Sequence, residues 1–170
     1  MNSVEGNQDW DEAQKYMEAI TAASGRHAVP VEVILGIGSR ESAWGRTLTP
    51  HGPAGVGDHG HGRGLMQIDD RWHKEFISSG KWSDPAKNID YGVALVKANV
   101  DSLIKKYPGE TDLALQRALA AYNCGLGNLF ESIAYGEDVD SRTTGQNYSA
   151  DVLARAQFFA AKLAVADVSV

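Results

Sequence analysis

The sequence predicts a single α+β domain that is predominantly α-helical, with a small irregular β segment around residues 45–70. Three observations favour this fold class: a length of 170 residues, apolar residues at helical spacing through most of the chain, and one glycine-rich interruption. A chain of this length suits one compact domain, so we expect residues 1–170 to form one domain. The apolar fraction of 43% and the charged fraction of 22% are typical of a folded globular protein.

Two helices are predicted before residue 45. The first has apolar residues at steps of three and four, namely Trp10, Ala13, Met17 and Ile20. We expect Gly25 to end this helix. The second is expected to begin at Pro30 and to end near Gly45. Its core-facing residues are Val33, Ile34 and Ile37.

Four further helices are predicted after residue 80. The clearest is capped by Asp84, opens with Pro85 and stops at Pro108-Gly109. Its apolar stripe consists of Ile89, Val93, Val96, Val100, Leu103 and Tyr107. A fourth helix is expected to begin at Thr111, a short fifth covers residues 128–135, and the last covers residues 149–166.

Residues 45–64 interrupt the helical pattern. This segment holds seven of the chain's 18 glycines, so we expect a loop, with short strands at Arg46–Leu48 and Leu65–Ile68. A second glycine-bearing loop, Asp138–Asn147, precedes the last helix. Two irregular loops that face a helical body predict a cleft between them.

Charge and composition exclude several classes of protein. A net charge of −6 and a pI near 5.3 argue against nucleic-acid binding and against capture by anionic membranes. No apolar run has the length of a membrane-spanning helix, and the polar, acidic N-terminus is not a signal peptide. Cys124 is the single cysteine, which excludes an intramolecular disulfide and a cysteine-based zinc site.

Glu41 is the most informative candidate for chemistry. It lies four residues after Ile37 and seven after Ile34, so it continues the apolar stripe of the second helix. Burial would raise the pKa of its carboxyl group toward neutrality, which suits a general acid. The alternative is that Glu41 caps the helix or forms a salt bridge at its end. The spacing alone leaves both interpretations open.

The glycine-rich loop has three interpretations. GVGDHG at residues 55–60 fits the dinucleotide pattern G-x-G-x-x-G, but no strand and no βαβ unit surround it. His51, His59 and His61 with Asp58 could bind zinc, although they lack the helical spacing that orients such ligands. In the third, the loop lines a cleft and presents Asp58 and Asp69 opposite Glu41. Hydrolysis of a glycosidic bond requires such a set, one carboxyl group to donate a proton and one or two to activate water.

Four segments together resemble the goose-type lysozymes. They are Gly38-Ser39-Arg40-Glu41-Ser42, GLMQID at 64–69, AYNCG at 121–125 and NYSADVLARAQ at 147–157. Their order and spacing match over roughly residues 30–160. The resemblance implies a lysozyme-like fold and a muramidase that cleaves the β-1,4 bond between N-acetylmuramic acid and N-acetylglucosamine in peptidoglycan.

The resemblance also implies the residues of the site. Glu41 would be the catalytic acid, and Asp58 and Asp69 would position the attacking water in an inverting mechanism. Five residues fall where the family lines its saccharide cleft: Gln67, His73, Tyr122, Asn123 and Tyr148. Taken alone, Tyr122 could be a core aromatic and His73 a surface group. Tyr148 is expected in a loop ahead of the last helix, at the edge of the cleft.

The expected protein is a monomer that uses neither a metal nor an organic cofactor. Its substrate would be peptidoglycan or a chitin-type oligosaccharide at an extracellular site, and a proteinaceous lysozyme inhibitor is a candidate partner. The lone cysteine separates it from the disulfide-bonded bird lysozymes of the family. Alternatives are a lytic transglycosylase, which shares several of these elements but needs no water-holding aspartates, a non-catalytic wall- or chitin-binding module and a helical interaction domain.

Overall fold

The computed structural model describes residues 1–168 and has the predicted fold class, mostly helical with one small sheet. The helices of this part are α1 (Ser3–Ala13), α2 (Met17–His27), α3 (Val31–Ser42), α4 (Lys74–Ser78), α5 (Pro85–Lys106), α6 (Ala114–Tyr135) and α7 (Tyr148–Val168). The strands are β1 (Val56–Gly57), β2 (Gly62–Arg63) and β3 (Ile68–Asp69). No helix of residues 1–168 is long and apolar enough to cross a membrane. That residues 1–170 form one domain stays a prediction.

The first predicted helix is two helices. A 3-10 turn at Gln14–Tyr16 separates α1 from α2, and α2 continues past Gly25 to His27. The prediction that Gly25 ends the helix was therefore wrong. The stop is Ala28, whose φ of 53° is left-handed. Pro30 follows two residues later and disfavours helical backbone at Val29, so the chain must leave the helix here.

The ends of α5 and the break in α6 follow the sequence prediction. Asp84 caps α5 because its Oδ1 accepts hydrogen bonds from the backbone N–H of Ala86 (3.0 Å) and of Lys87 (3.2 Å). Within α6, Gly125 has φ 84° and ψ 151°, which interrupts the helix between the predicted fourth and fifth helices. A backbone conformation of this kind favours glycine.

Helix α3 passes through the centre of the core. Every residue from Val33 to Ser39 is buried, and α3 packs along α7. The helices approach closely at Gly36, where a Cβ would lie 2.6 Å from the carbonyl oxygen of Val152. Glycine is therefore required at this crossing, and the crossing brings the last turn of α3 beside the first turn of α7.

The sheet lies within the predicted β segment, but its strands are not where we expected them. β1, β2 and β3 are antiparallel neighbours in that order, with Val56 opposite Arg63 and Arg63 opposite Ile68. Arg46–Leu48 instead forms tight turns, in which the Leu48 N–H bonds the Gly45 carbonyl. The predicted strand Leu65–Ile68 is a turn up to Gln67, whose φ is 48°, and only Ile68 belongs to a strand.

Candidate active site

A cleft of about 930 Å³ lies between the end of α3, the sheet, α6 and the start of α7. Its size is in the range of ligand-binding clefts. All eight residues that the sequence analysis selected line it: Glu41, Asp58, Gln67, Asp69, His73, Tyr122, Asn123 and Tyr148. The fold thus brings them to one surface, while the role of each stays a prediction.

Glu41 lies in the last turn of α3 with its carboxyl group half-buried in the cleft. Burial raises its pKa from 4.5 to about 7; the Tyr148 hydroxyl and the Arg40 charge oppose this shift, and the Asp58 charge adds to it. Glu41 forms no salt bridge with any residue of the described chain. The structure therefore does not fit the alternative of a helix-end salt bridge.

Arg40, the nearest cation in sequence, is engaged elsewhere. Its Nη1 donates to Asp151 Oδ2 at 3.0 Å, and its Nη2 donates to the Thr144 carbonyl oxygen at 3.2 Å. Arg155 Nε donates to the same Asp151 oxygen at 2.7 Å. These bonds join α3 to α7 and keep the Arg40 guanidinium from pairing with Glu41.

Tyr148 is buried, with 1% of its surface exposed, so its predicted place in a loop at the cleft edge was wrong. It is the first residue of α7, and the cause is the helix cap: the Asp140 carboxylate accepts from the N–H groups of Ser149 (2.8 Å) and Ala150 (3.0 Å). The hydroxyl of Tyr148 reaches the site, where it donates to Glu41 Oε1. Burial, with the nearby Glu41 charge, raises the pKa of Tyr148 well above its ordinary value, so the hydroxyl stays a donor.

Tyr122 and Asn123 hold the two loops against α6. The Tyr122 hydroxyl donates to the Met66 carbonyl oxygen at 2.7 Å, and its ring packs on the core. Tyr122 is thus both a core aromatic and a cleft residue. Asn123 Oδ1 accepts from the Thr144 N–H at 2.8 Å. Its Nδ2 has no hydrogen-bond partner in the described chain and remains available at the cleft.

Asp58 and Asp69 are joined by Arg71, which the sequence analysis did not select. Arg71 donates to Asp69 from its backbone N–H (2.8 Å to Oδ1) and from Nη2 (2.5 Å to Oδ2). The same Nη2 lies 3.5 Å from Asp58 Oδ2. Arg71 holds the pKa of Asp69 below its ordinary value, so that carboxylate is ionised at neutral pH. The sequence feature that could have indicated Arg71 is a cation two residues after an aspartate in a turn. That feature is too common in proteins to identify a site residue.

The turn that carries Asp58 has unusual backbone geometry. Asp58 and His59 have φ values of 45° and 53°, which are left-handed, and neither is glycine. Aspartate tolerates this conformation better than most residues, and strained backbone of this kind clusters at functional sites. The turn leaves the Asp58 carboxylate mostly exposed in the cleft.

Gln67 and His73 are held by neighbours on either side of β3. Gln67 Nε2 donates to the Gly64 carbonyl oxygen at 2.8 Å, and its Oε1 lies against Gly57 and Gly62, where added Cβ atoms would come within 2.2 Å. His73 is half-buried rather than a surface group, with Nδ1 3.0 Å from the Tyr91 hydroxyl. Burial lowers the pKa of His73, so it is neutral at pH 7.

The histidines of the glycine-rich loop are dispersed. His61 Nδ1 pairs with Asp70 Oδ1 at 2.9 Å, while His51 and His59 are exposed. Among residues 1–168, no group of three or more His, Cys, Asp and Glu is placed to hold a metal ion.

A mostly helical fold with a small sheet, and a cleft lined by a half-buried glutamate and two aspartates, define a lysozyme-like glycoside hydrolase. The family model described as Lysozyme g matches residues 5–162. The chain therefore belongs to the lysozyme g family, as the resemblance predicted.

Curated relatives agree with this assignment. The chain is 37% identical over 152 residues to "Lysozyme g" of Gallus gallus, a match that covers 89% of this chain and 66% of that protein. It is 34% identical over 152 residues to "Lysozyme g" of Casuarius casuarius, covering 89% and 76%. It is 37% identical over 155 residues to "Lysozyme g" of Takifugu rubripes, covering 89% and 77%. The chain thus spans from about two thirds to about three quarters of the length of these relatives.

Proposed function

We propose that the chain is a peptidoglycan hydrolase that cleaves the β-1,4 bond between N-acetylmuramic acid and N-acetylglucosamine. One observation carries the proposal: Glu41 has a pKa of about 7 because it is buried, and it shares a cleft with the ionised Asp69. One carboxyl group can therefore donate a proton at the pH at which the other is charged. This division of labour is what acid-catalysed glycoside hydrolysis requires.

In the proposed mechanism, Glu41 protonates the leaving glycosidic oxygen. Asp58 and Asp69 hold a water that attacks the anomeric carbon from the opposite face, which inverts its configuration. Once Glu41 has lost its proton, the Tyr148 hydroxyl stabilises the new carboxylate by donating to Oε1. Arg71 bridges the two aspartates and keeps Asp69 charged.

Carboxyl groups suffice for this chemistry, since carboxylates stabilise the positive charge that develops on the sugar ring in the transition state without a metal or organic cofactor. Excess chelator should accordingly leave the activity unchanged. The proposed enzyme acts outside the cell that makes it, as a monomer, and a proteinaceous inhibitor would compete for the same cleft. Its net charge of −6 repels an anionic cell wall only within a screening length of about 8 Å, so binding relies on sugar contacts in the cleft.

Product analysis on purified peptidoglycan tests the proposal. The parent and Glu41→Gln are incubated with insoluble walls, and the released fragments are identified by mass spectrometry. We expect the parent to release fragments with reducing N-acetylmuramic acid ends and the variant to release almost none. Fragments with 1,6-anhydro ends would show a lytic transglycosylase instead, and wall binding without release by the parent would show a non-catalytic module.

A further inference from the structure

Trp72 differs from the other tryptophans of the chain in having no partner. The residue is 82% exposed, the largest value among the exposed large hydrophobic residues of the described chain. Trp44 is buried, Trp10 stacks on Phe159, and Trp82 lies against the guanidinium of Arg63. The Trp72 indole makes no hydrogen bond or ring contact within residues 1–168. The Trp72 side chain therefore contributes little to the stability of the fold.

The exposed indole stands at the rim of the cleft. Trp72 lines the cleft together with Asp69, Arg71 and His73, its neighbours in one turn. The turn is held by the Asp69 carbonyl oxygen, which accepts from the N–H groups of Trp72 (3.3 Å) and His73 (3.1 Å). The backbone that carries the indole is thus fixed by the same residue that we propose holds the attacking water.

We infer that Trp72 is a binding residue that stacks on a pyranose ring of the substrate chain at the rim of the cleft. The inference rests on the proposed function and extends it to a residue outside the eight selected from the sequence. A pyranose presents apolar C–H groups on its faces, and a flat indole offers a matching apolar surface with few internal rotations to lose. An exposed aromatic beside a polar cleft is also the kind of residue that dominates binding energy when a ligand covers it.

We expect Trp72 to act in substrate binding and not in the chemical step. Glu41 is half-buried within the cleft, whereas Trp72 is almost uncovered by protein. We therefore expect the indole to stack on a sugar ring without contacting the glycosidic oxygen that Glu41 protonates. Trp72 should therefore contribute to affinity and leave the proton transfer unaffected. Loss of the indole should raise KM and change kcat little.

The test measures binding of a chitin hexamer to the Glu41→Gln protein, in which turnover is suppressed. We expect Trp72→Ala in this background to weaken binding by about 10-fold, and Trp72→Phe to weaken it less because a smaller ring remains. Tyr135→Ala is the matched control, since Tyr135 is 74% exposed and lies outside the cleft. The thermal unfolding midpoints of the Trp72 variants should match that of the Glu41→Gln protein, because Trp72 supports no other residue.

Acrylamide quenching of tryptophan fluorescence gives a second readout. The difference between the Glu41→Gln protein and its Trp72→Phe derivative isolates the signal of Trp72, and saturating hexamer should protect that signal. Equal affinity of the Trp72→Ala protein, or an indole that is quenched as strongly with sugar as without, would overturn the inference alone. A parent that neither binds the hexamer nor lyses walls would overturn the proposed function and this inference with it.

Discussion

The hydroxyl group of Tyr148 donates a hydrogen bond to Glu41 Oε1 and so joins the first residue of α7 to the last turn of α3. A donor on this oxygen favours the charged carboxylate, which opposes the rise in the pKa of Glu41 that burial causes. The pairing keeps the acid strong enough to give up its proton near neutral pH. It depends on the close crossing of α3 and α7 at Gly36.

Tyr148→Phe tests this pairing. The variant keeps the buried ring and removes the donor, so the pKa of Glu41 should rise further. In the pH profile of wall lysis, the loss of activity on the alkaline side should then move to higher pH. Tyr135→Phe, at an exposed tyrosine outside the cleft, is the control and should keep the parent profile. A profile of Tyr148→Phe that overlays the parent would show that the hydroxyl does not act on Glu41.

The raised pKa of Glu41 also predicts how stability depends on pH. The folded chain holds this proton more tightly than the unfolded chain, so the carboxyl costs nothing below the unfolded pKa of 4.5. The cost grows as the pH rises toward about 7 and is complete above it, at up to roughly 3 kcal/mol. Glu41→Gln should therefore be more stable than the parent at pH 8 and equally stable at pH 4.

Urea unfolding at the two pH values checks this expectation. Glu18→Gln is the matched control, because Glu18 is exposed and forms no ion pair in the described chain. The control should have the parent's free energy of unfolding at both pH values. A parent as stable as Glu41→Gln at pH 8 would mean that the carboxyl is not buried in solution.

Much of the fold can be predicted from the sequence because the residues that start and end its helices act locally. Asp84 and Pro85 fix the start of α5 by capping and by a preset φ, which need no knowledge of the rest of the chain. Gly25 was misread because glycine can end a helix but does not have to, and the left-handed stop fell on Ala28. The strands were predicted at the wrong residues because their positions depend on where Gln67 packs on Gly57, a contact between residues far apart in the local pattern.

The candidate active site likewise contains residues that the sequence predicts and residues that it does not. Glu41 could be selected because an acid on an apolar helical stripe is conspicuous in the sequence alone. The burial of Tyr148 could not be foreseen, since it follows from the cap that Asp140 makes across the seven loop residues before α7. Arg71 and Trp72 could be selected only once the fold had placed the turn after β3 in the same cleft as Glu41.

Asp58 and Asp69 are predicted to share one water. Asp58→Asn or Asp69→Asn alone should leave partial activity, because the other carboxylate still holds the water. The double variant should lose more than either, and the losses should not add, as is usual for residues that act as a unit. Kinetics on a chitin hexamer measures all three, with Asp112→Asn at an exposed site as control. Parent-like rates in both single variants would mean that the water is held elsewhere.

The stereochemistry of the product is a further prediction. Space for a water between acid and base requires a carboxyl separation of about 6.5–9.5 Å, whereas a covalent mechanism requires about 5–5.5 Å. The glycines of residues 45–64 favour the wider gap. Direct attack by water should release the α-anomer first, as read by proton NMR of a chitin oligomer digest before mutarotation. The β-anomer as first product would exclude the water-holding role of the two aspartates.

The most direct test of the proposed general acid is the rate of wall lysis by Glu41→Gln at pH 6. Glutamine keeps the shape of Glu41 and can still accept from Tyr148, but it has no proton to give to the leaving oxygen. We predict that the release of reducing sugar from purified peptidoglycan falls by at least ~10²-fold while the variant stays folded. Near-parent release of reducing sugar by the folded variant would contradict the assignment of Glu41.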